Sequence, residues 1–304
     1  MCTGLIYGRG LQPVSKIRNR LYLVGAAFLF STGGAAIKAC SLNNWQVAGF
    51  RSGIAALVLC ALFPQARRGW TRGTWLTGFA YAATLILFVA ANKLTTSANA
   101  IFLQSTAPLY LCLLGPLVLK ESIRKVDLAV ICGVVTGALL LLSATHSSGL
   151  TAPHPQQGNA AGIASGLTWA LTITGLRLLA KQTRKRAADP NAGTAAVIAG
   201  NMIAFVTCLP FALPVGHISV ADTSVLVYLG VFQIGVAYVL LTRSLLVIPA
   251  LEASTLLLVE PALNPLWTWL VNNENPGLMA LAGGMVIILA AFSGTWWQTK
   301  FTTN

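Results

Sequence analysis

Residues 97–121 read SANAIFLQSTAPLYLCLLGPLVLKE, and residues 250–274 read ALEASTLLLVEPALNPLWTWLVNNE. The two stretches lie 153 positions apart and share one plan: small residues, an apolar run with a proline midway, and a closing glutamate. Pro108 aligns with Pro261, and the two closing glutamates align as well. Many membrane transporters are built from two such related halves that enclose one shared space. The repeat therefore predicts a functional site between the halves.

The composition predicts a membrane protein. Hydrophobic residues make up 56% of the 304 residues and charged residues only 9%, whereas a soluble domain carries about 25% charged residues. Ten apolar stretches are long enough to cross a hydrocarbon core of about 30 Å. They lie at 21–40, 44–63, 74–92, 97–119, 127–144, 159–180, 194–215, 222–242, 250–271 and 277–298. The predicted fold class is an all-α polytopic membrane protein with ten transmembrane helices.

The net charge of +13 is distributed in a pattern that indicates orientation. In the ten-span arrangement, basic residues cluster in the segments on one side, whereas the opposite loops contain only Lys93. The positive-inside rule then places both termini in the cytoplasm and the protein in the cell inner membrane. We interpret the run Arg184-Lys185-Arg186 as a topology anchor and expect no nucleic-acid partner.

No residue pattern indicates a cofactor or a metal ion. The six cysteines form no Cys-x-x-Cys pair, and most fall within spans, where a thiol packs as a small apolar group. The three histidines lie in predicted loops away from carboxylates. We predict no disulfide, no metal site and no cofactor.

Five spans in each half is an odd number, so the second half must enter the membrane from the opposite side. This predicts two inverted five-helix repeats related by a pseudo-two-fold axis in the membrane plane. The predicted units are a cytoplasmic tail, the first repeat, a periplasmic linker, the second repeat and a cytoplasmic tail, at 1–20, 21–145, 146–158, 159–298 and 299–304.

Several short motifs follow one another in a fixed order along the chain. They are Phe50-Arg51-Ser52-Gly53, Thr96-Ser97-Ala98-Asn99-Ala100, Ala107-Pro108-Leu109, Leu119-Lys120-Glu121, and Val259-Glu260-Pro261-Ala262 followed by Glu274. With them, the chain resembles the drug/metabolite transporter superfamily, in particular its EamA-type ten-span branch. The resemblance implies transport of small metabolites, often export, and the branch includes YddG-like amino-acid exporters. Glu252 departs from the pattern, because that position usually holds a small residue.

Polar side chains inside the spans are the candidate substrate-binding residues. A charge near the middle of the membrane costs about 2.5–3.5 kcal/mol and needs a partner, a wet cavity or the interface. The candidates are Lys38, Tyr81, Gln104, Trp169, Gln233, Tyr238, Glu260 and Asn264. Pro108 and Pro261 are candidate gate or hinge residues, because each removes a backbone hydrogen bond in mid-span.

Some of these residues have more than one interpretation. Lys38 either reaches the outer headgroups or contacts a substrate carboxylate. Arg51 matches the family arginine and is expected to be a structural charge that joins helices through backbone carbonyls, with substrate contact as the alternative. Glu260 is a neutral hydrogen-bonded residue, a salt-bridge partner or a proton carrier. Trp169 either fills the bundle or lines a cavity.

The predicted function is export of small metabolites, with amino acids favoured, by alternating access through a central cavity. A multidrug or lipophilic-cation exporter is the alternative, although a cationic substrate would require an accessible carboxylate in the first span, which has Lys38 instead. An intramembrane transferase needs a convergent acid, base or metal set, and only Glu260 lies deep in a span, so the chain is not predicted to be an enzyme. The expected partners are a small-molecule substrate and membrane lipid. The sequence leaves monomer and homodimer open.

Overall fold

The structure is a computed structural model that describes residues 13–123, 125–143, 152–186, 191–216 and 218–273, with isolated positions between 278 and 293. Glu274, most of the predicted tenth span, most of the predicted linker and the predicted C-terminal tail lie outside the described residues. Within the described part of the chain every regular element is helical.

The described residues form thirteen α-helices. In chain order they are α1 (Pro13–Ser31), α2 (Gly33–Ala39), α3 (Asn44–Leu62), α4 (Arg72–Leu94), α5 (Ser97–Gln104), α6 (Ala107–Leu114), α7 (Lys125–Ser143), α8 (Pro155–Arg186), α9 (Ala192–Ala212), α10 (Val220–Tyr228), α11 (Ala237–Leu245), α12 (Ala250–Leu256) and α13 (Val259–Asn272). A 3₁₀ turn spans Pro64–Arg67, and π-helical segments span Gly115–Leu119 and Leu229–Val236.

Seven helical stretches in the described residues are long and apolar enough to cross a membrane. They are Lys16–Ala39, Asn44–Leu62, Arg72–Leu94, Ser97–Leu119, Pro155–Thr183, Ala192–Ala212 and Val220–Leu245. α7 contains a shorter apolar stretch, and α12 and α13 together occupy the predicted ninth span. The expected all-helical, polytopic membrane fold is confirmed, whereas the count of ten spans and their inversion stay predictions.

The two spans that carry the repeated prolines are each broken in the middle. A turn at Ser105–Thr106 separates α5 from α6, and a turn at Leu257–Leu258 separates α12 from α13. Pro108 and Pro261 lie in the first turn of the helix that follows. A proline is tolerated there because the first N–H groups of a helix have no intrahelical partner.

Two further spans are interrupted without any proline. Thr32 separates α1 from α2, and its hydroxyl lies 2.8 Å from the Tyr228 hydroxyl. The π-helical segment Leu229–Val236 lies between α10 and α11 in the predicted eighth span. A π-helical segment widens the turn and often marks a functional position. We therefore find four interrupted spans where the prolines predict two.

Small residues allow the spans to pack closely, as the spacing Gly162-x-x-x-Gly166 suggests. A Cβ atom added at Gly166 of α8 would lie 2.8 Å from the Leu103 carbonyl oxygen of α5. A Cβ atom added at Gly200 of α9 would lie 2.7 Å from the Gly78 carbonyl oxygen of α4. Both glycines are thus close to a neighbouring backbone that cannot rotate away.

Ion pairs hold one end of the bundle, which we call the basic end. Glu121, just after the fourth span, accepts hydrogen bonds from Arg177 Nε (2.8 Å) and the Ala250 amide (3.1 Å), and forms an ion pair with Lys181 Nζ (2.9 Å). Arg20 and Glu252 form a second ion pair at 2.7 Å. The start of the first span therefore lies at the same end as the finish of α8.

Hydrogen bonds from two lysines to backbone carbonyl oxygens join helices at the opposite end. Lys38 Nζ donates to the Thr95 carbonyl oxygen (3.1 Å), and Lys93 Nζ donates to the Cys40 carbonyl oxygen (2.6 Å). The Thr95 hydroxyl also donates to Asn159 Oδ1 near the start of α8 (3.0 Å). The first and sixth predicted spans therefore run in opposite directions.

Candidate functional site

A small central cavity lies where the four interrupted spans meet. Phe30, Gln104, Gln233 and Glu260 line it, and each of them lies within two residues of an interruption or inside one. The cavity volume is about 30 Å³, room for one or two water molecules. The cavity therefore has room for little more than water. The remaining lining residues are Arg51, Thr84, Leu85, Phe88, Trp169, Ile234 and Tyr238.

A second cavity of about 20 Å³ adjoins the first. The two cavities share Gln104, Trp169 and Glu260, and the second extends to Pro108 and Pro261. The proline-containing turns of both repeats therefore border the same small space. This arrangement places the predicted hinge residues next to the predicted binding residues.

Arg51 is completely buried on α3 and reaches across the bundle. Its Nη1 atom donates to Gln233 Oε1 (3.3 Å), and its Nη2 atom donates to the Leu85 carbonyl oxygen of α4 (3.2 Å). The Nε atom has no hydrogen-bond partner in the described structure. A guanidinium group has five N–H donors, so most of its capacity is unused. No carboxylate among the described residues forms an ion pair with Arg51.

Glu260 also lines the central cavity and carries an ionisable group unlike that of Arg51, namely a carboxyl group. Its position in the first turn of α13 places it immediately beyond the broken turn of the ninth span. The side chain is buried, and its carboxylate has neither a hydrogen bond nor an ion pair within the described part of the chain. A buried carboxylate without partners is costly, which makes Glu260 a candidate functional group.

Aromatic rings form one wall of the cavity. The Trp169 ring makes edge contacts with Phe30 (6.2 Å between ring centroids) and Tyr238 (6.0 Å), and Phe30 contacts Tyr238 at 5.0 Å. Edge-to-face packing of this kind fixes ring orientations. The rings present an apolar surface that suits an uncharged side chain or the face of a cation.

Gln104 ends α5 and turns its amide toward α8. Its Nε2 atom donates to the Ser165 hydroxyl at 2.8 Å, so its carbonyl oxygen is available as an acceptor. The close approach of Gly166 to α5 brings these two helices near enough for this bond. The local packing of small residues thus positions a polar group at the cavity.

The structure brings together five of the eight predicted substrate-binding residues, namely Gln104, Trp169, Gln233, Tyr238 and Glu260. The other three do not line the central cavity. Lys38 lies at the opposite end, and Asn264 donates to the Ser97 hydroxyl at 3.1 Å. Tyr81 packs behind Tyr238 at a centroid distance of 4.5 Å and accepts a hydrogen bond from Asn201.

Several lining residues were not predicted, namely Phe30, Thr84, Leu85, Phe88 and Ile234. In an apolar span, side chains that face lipid and side chains that face the interior have the same chemistry. Of these five residues, only Phe30 lies next to a sequence pattern that indicates an interrupted span, because the small residues Ser31-Thr32-Gly33-Gly34 follow it. A run of small residues in mid-span is therefore a useful indication of an interruption.

A larger cavity of about 300 Å³ opens at the basic end, and we call it the vestibule. Leu111 of α6 and Leu251 of α12 line it, one helical turn from Ala107 and Ser254, which line the second small cavity. Glu121 also lines the vestibule. Only a thin layer of α6 and α12 therefore separates the vestibule from the central site. No cluster of three His, Cys, Asp or Glu residues suited to a metal is found in the residues that the structure describes.

Comparisons with known proteins agree with this architecture. The sequence model of the EamA-like transporter family matches twice, over residues 19–143 and 156–294. A protein of Methanothermobacter thermautotrophicus described as an uncharacterized transporter is 25% identical over 166 residues, which are 51% of this chain. The chain covers 48%, about half, of the length of that relative.

The fold is also similar to that of a solved crystal structure. The similarity covers 94% of this chain and 99% of the other, with a TM-score of 0.72 and 18% sequence identity. At this identity the likeness shows the fold alone. The compared chain is nearly as long as this one, so the similarity extends over the whole bundle.

Proposed function

This chain belongs to the EamA-like transporter family, and we propose that it exports small metabolites, in particular amino acids, from the cytoplasm across the inner membrane. The family indicates a multi-pass membrane transporter of small molecules and not an enzyme. The observation that carries the proposal is the closed central cavity, where buried polar groups and aromatic rings meet at four interrupted spans. Discontinuous helices at mid-membrane form the substrate sites of many secondary transporters.

The sizes of the cavities support alternating access. The central cavity of about 30 Å³ is too small for an amino acid, whereas the vestibule of about 300 Å³ is large enough. Substrate must therefore enter by separation of α6 from α12 at the basic end. Its release requires the hydrogen bonds of Lys38 and Lys93 at the opposite end to open.

A transport assay tests the proposal directly. We would reconstitute the protein in liposomes loaded with a panel of radiolabelled amino acids, and measure release with and without a proton gradient. Protein-containing liposomes should release at least one amino acid faster than protein-free liposomes. Equal release for every member of the panel would contradict the proposal. The comparison of gradients separates proton-coupled transport from facilitated transport.

A lipophilic-cation exporter is the second candidate. The unpaired Glu260 carboxylate beside aromatic rings favours it, whereas the buried Arg51 opposes it. Tetraphenylphosphonium in the same assay distinguishes the two functions. Its release in place of amino acids would favour the cation exporter.

The proposed topology has ten spans, related as five plus five inverted, with both termini in the cytoplasm. The opposite directions of the first and sixth spans and the basic residues at one end support it. We expect a reporter fused after Ala152 to be active in the periplasm and one fused after Lys185 to be active in the cytoplasm. The reverse result would exclude this orientation.

Substitutions in the cavity wall should change transport without preventing folding. Trp169→Ala removes ring contacts with Phe30 and Tyr238 and enlarges the cavity, so we expect a shift in relative transport rates toward bulkier amino acids. Gln104→Leu keeps side-chain bulk but removes the bond to Ser165, so we expect transport to fall by roughly fivefold, the equivalent of about 1 kcal/mol. Both variants should elute as the wild type does in size-exclusion chromatography. Unchanged transport of the whole panel would show that the cavity lies elsewhere.

A further inference from the structure

We propose that Arg51 and Glu260 form two poles of the substrate site: Arg51 binds the carboxylate of a zwitterion, and Glu260 binds its ammonium group. This inference rests on the proposed function and assigns the two ends of the substrate to two different helices, α3 and α13. The substrate class is a neutral α-amino acid with an apolar side chain.

The first argument is the separation of the two charges. Arg51 lies on α3 and Glu260 on α13, and both line the central cavity, yet they form no ion pair with each other. Arg51 is held away by its bonds to Leu85 of α4 and Gln233 of the π-helical segment. Both side chains therefore remain available to the two charged groups of a zwitterion once the cavity has widened.

The second argument is the unused hydrogen-bonding capacity at each pole. Arg51 Nε has no hydrogen-bond partner within the described residues. Glu260 is buried, and no hydrogen bond or ion pair joins its carboxyl group to another described residue. Burial disfavours the charged form of either group when it has no partner, and a zwitterion would pair with both groups at once. An anion alone would leave Glu260 unpaired, and a cation alone would leave Arg51 unpaired.

The surroundings of each pole agree with these roles. The free carbonyl oxygen of Gln104 and the ring faces of Trp169 and Tyr238 line the same cavity as Glu260, and both kinds of group favour an ammonium ion. Leu85, which anchors Arg51 through its carbonyl oxygen, lines the cavity beside Phe88. Together with Phe30 and Ile234, these residues give the cavity apolar surface that suits an aliphatic or aromatic side chain.

The test uses leucine and two analogues, each of which lacks one of the two charged groups of leucine. They are L-leucine, L-leucinamide, which lacks the carboxylate, and 4-methylpentanoate, which lacks the amine. Binding to the purified wild-type protein at pH 6.5 should be at least tenfold weaker for each analogue than for leucine. This comparison needs no variant. Equal binding of leucine and either analogue would overturn the proposal.

Variants then assign each pole. Arg51→Gln should weaken leucine binding at least tenfold but change leucinamide binding less than twofold. Glu260→Gln should weaken binding of leucine and leucinamide at least tenfold but change 4-methylpentanoate binding less than twofold. Asp222→Asn is the control: this carboxylate accepts hydrogen bonds from Ser41 outside the cavity, and leucine affinity should not change.

The outcomes separate this inference from the proposed function. If the wild type binds and releases leucine while each variant weakens leucine and both analogues equally, the two-pole inference is wrong and the transporter proposal stands. If the wild type transports no amino acid, the proposed function itself fails. If Arg51→Gln does not fold, the three-probe comparison on the wild type and on Glu260→Gln still decides the question.

Discussion

Replacing Glu121 by alanine is expected to destabilise the protein by roughly 3 kcal/mol and to abolish transport. The carboxylate joins two helices, because it pairs with Arg177 and Lys181 of α8 and accepts a hydrogen bond from the Ala250 amide at the start of α12. Its removal leaves Arg177 and Lys181 without their ion-pair partner. Arg177 keeps its bond to the Leu245 carbonyl oxygen, which limits the loss. Thermal unfolding in detergent and release from liposomes measure the two effects.

Glu252→Ala is the matched control for this substitution. Glu252 is similarly buried, but its described side-chain contacts are those to Arg20. We expect a loss of stability that is clearly smaller than that of Glu121→Ala. Equal losses would mean that the three-way contact of Glu121 has no special role.

Glu121 should also make stability depend on pH. Burial alone would raise the pKa of Glu121, but hydrogen bonds from Arg177 and Lys181 outweigh burial and lower the pKa below its ordinary value of 4.5. A carboxyl group with a lowered pKa in the folded state stabilises the fold above that ordinary value, and the contribution is lost as the pH falls below it. Glu121→Gln should therefore lose less stability than the wild type on acidification below about pH 4.5.

Gly166→Ala is expected to reduce stability by about 2 kcal/mol and to lower the yield of folded protein. The added Cβ would lie 2.7 Å from Thr106 Oγ1, 2.8 Å from the Leu103 carbonyl oxygen and 3.2 Å from the Gln104 carbonyl oxygen. Two of these atoms belong to the backbone next to the broken turn of the fourth span. α8 must therefore move away, and the bond between Gln104 and Ser165 should be lost.

Gly25→Ala provides the comparison. Gly25 lies in the interior of α1, and its added Cβ would lie 3.5 Å from Leu240 Cδ1, an ordinary contact. Both substitutions gain the same helix propensity of up to about 1 kcal/mol, so the difference between them isolates the contact with the fourth span. Size-exclusion profiles and melting temperatures of the two variants should differ. Identical behaviour would contradict the tight packing at Gly166.

The breaks in the fourth and ninth spans could be predicted because proline has a local, unavoidable effect on helical hydrogen bonding. Thr32 and the π-helical segment that contains Gln233 gave no such signal. Their geometry depends on neighbours: Thr32 contacts Tyr228, and a Cβ on Gly33 would lie 2.7 Å from Gln233 Nε2. Contacts between spans distant in sequence contribute to both interruptions. The small residues around Thr32 indicate the first of them, whereas no local pattern predicts the π-helical segment.

The polar residues of the site were partly predictable for a related reason. Gln104, Gln233 and Glu260 have no favourable position against lipid, so their location in the interior follows from their chemistry. The depth of a residue along its span is harder to predict, and Lys38 and Asn264 lie away from the central cavity. The direction in which each helix faces is equally hard to predict, because apolar residues cover both lipid-facing and interior surfaces.

Arg51 is anchored at two points, to Leu85 and to the side chain of Gln233. This anchoring has an electrical consequence. An arginine that stays in place carries no gating charge, and a zwitterion held between it and Glu260 moves no net charge across the membrane. A membrane potential of 100 mV contributes about 2.3 kcal/mol for each elementary charge that crosses the membrane. It does no work on a substrate without net charge. Facilitated transport of leucine should therefore proceed at the same rate whether or not a potassium diffusion potential is imposed on the liposomes.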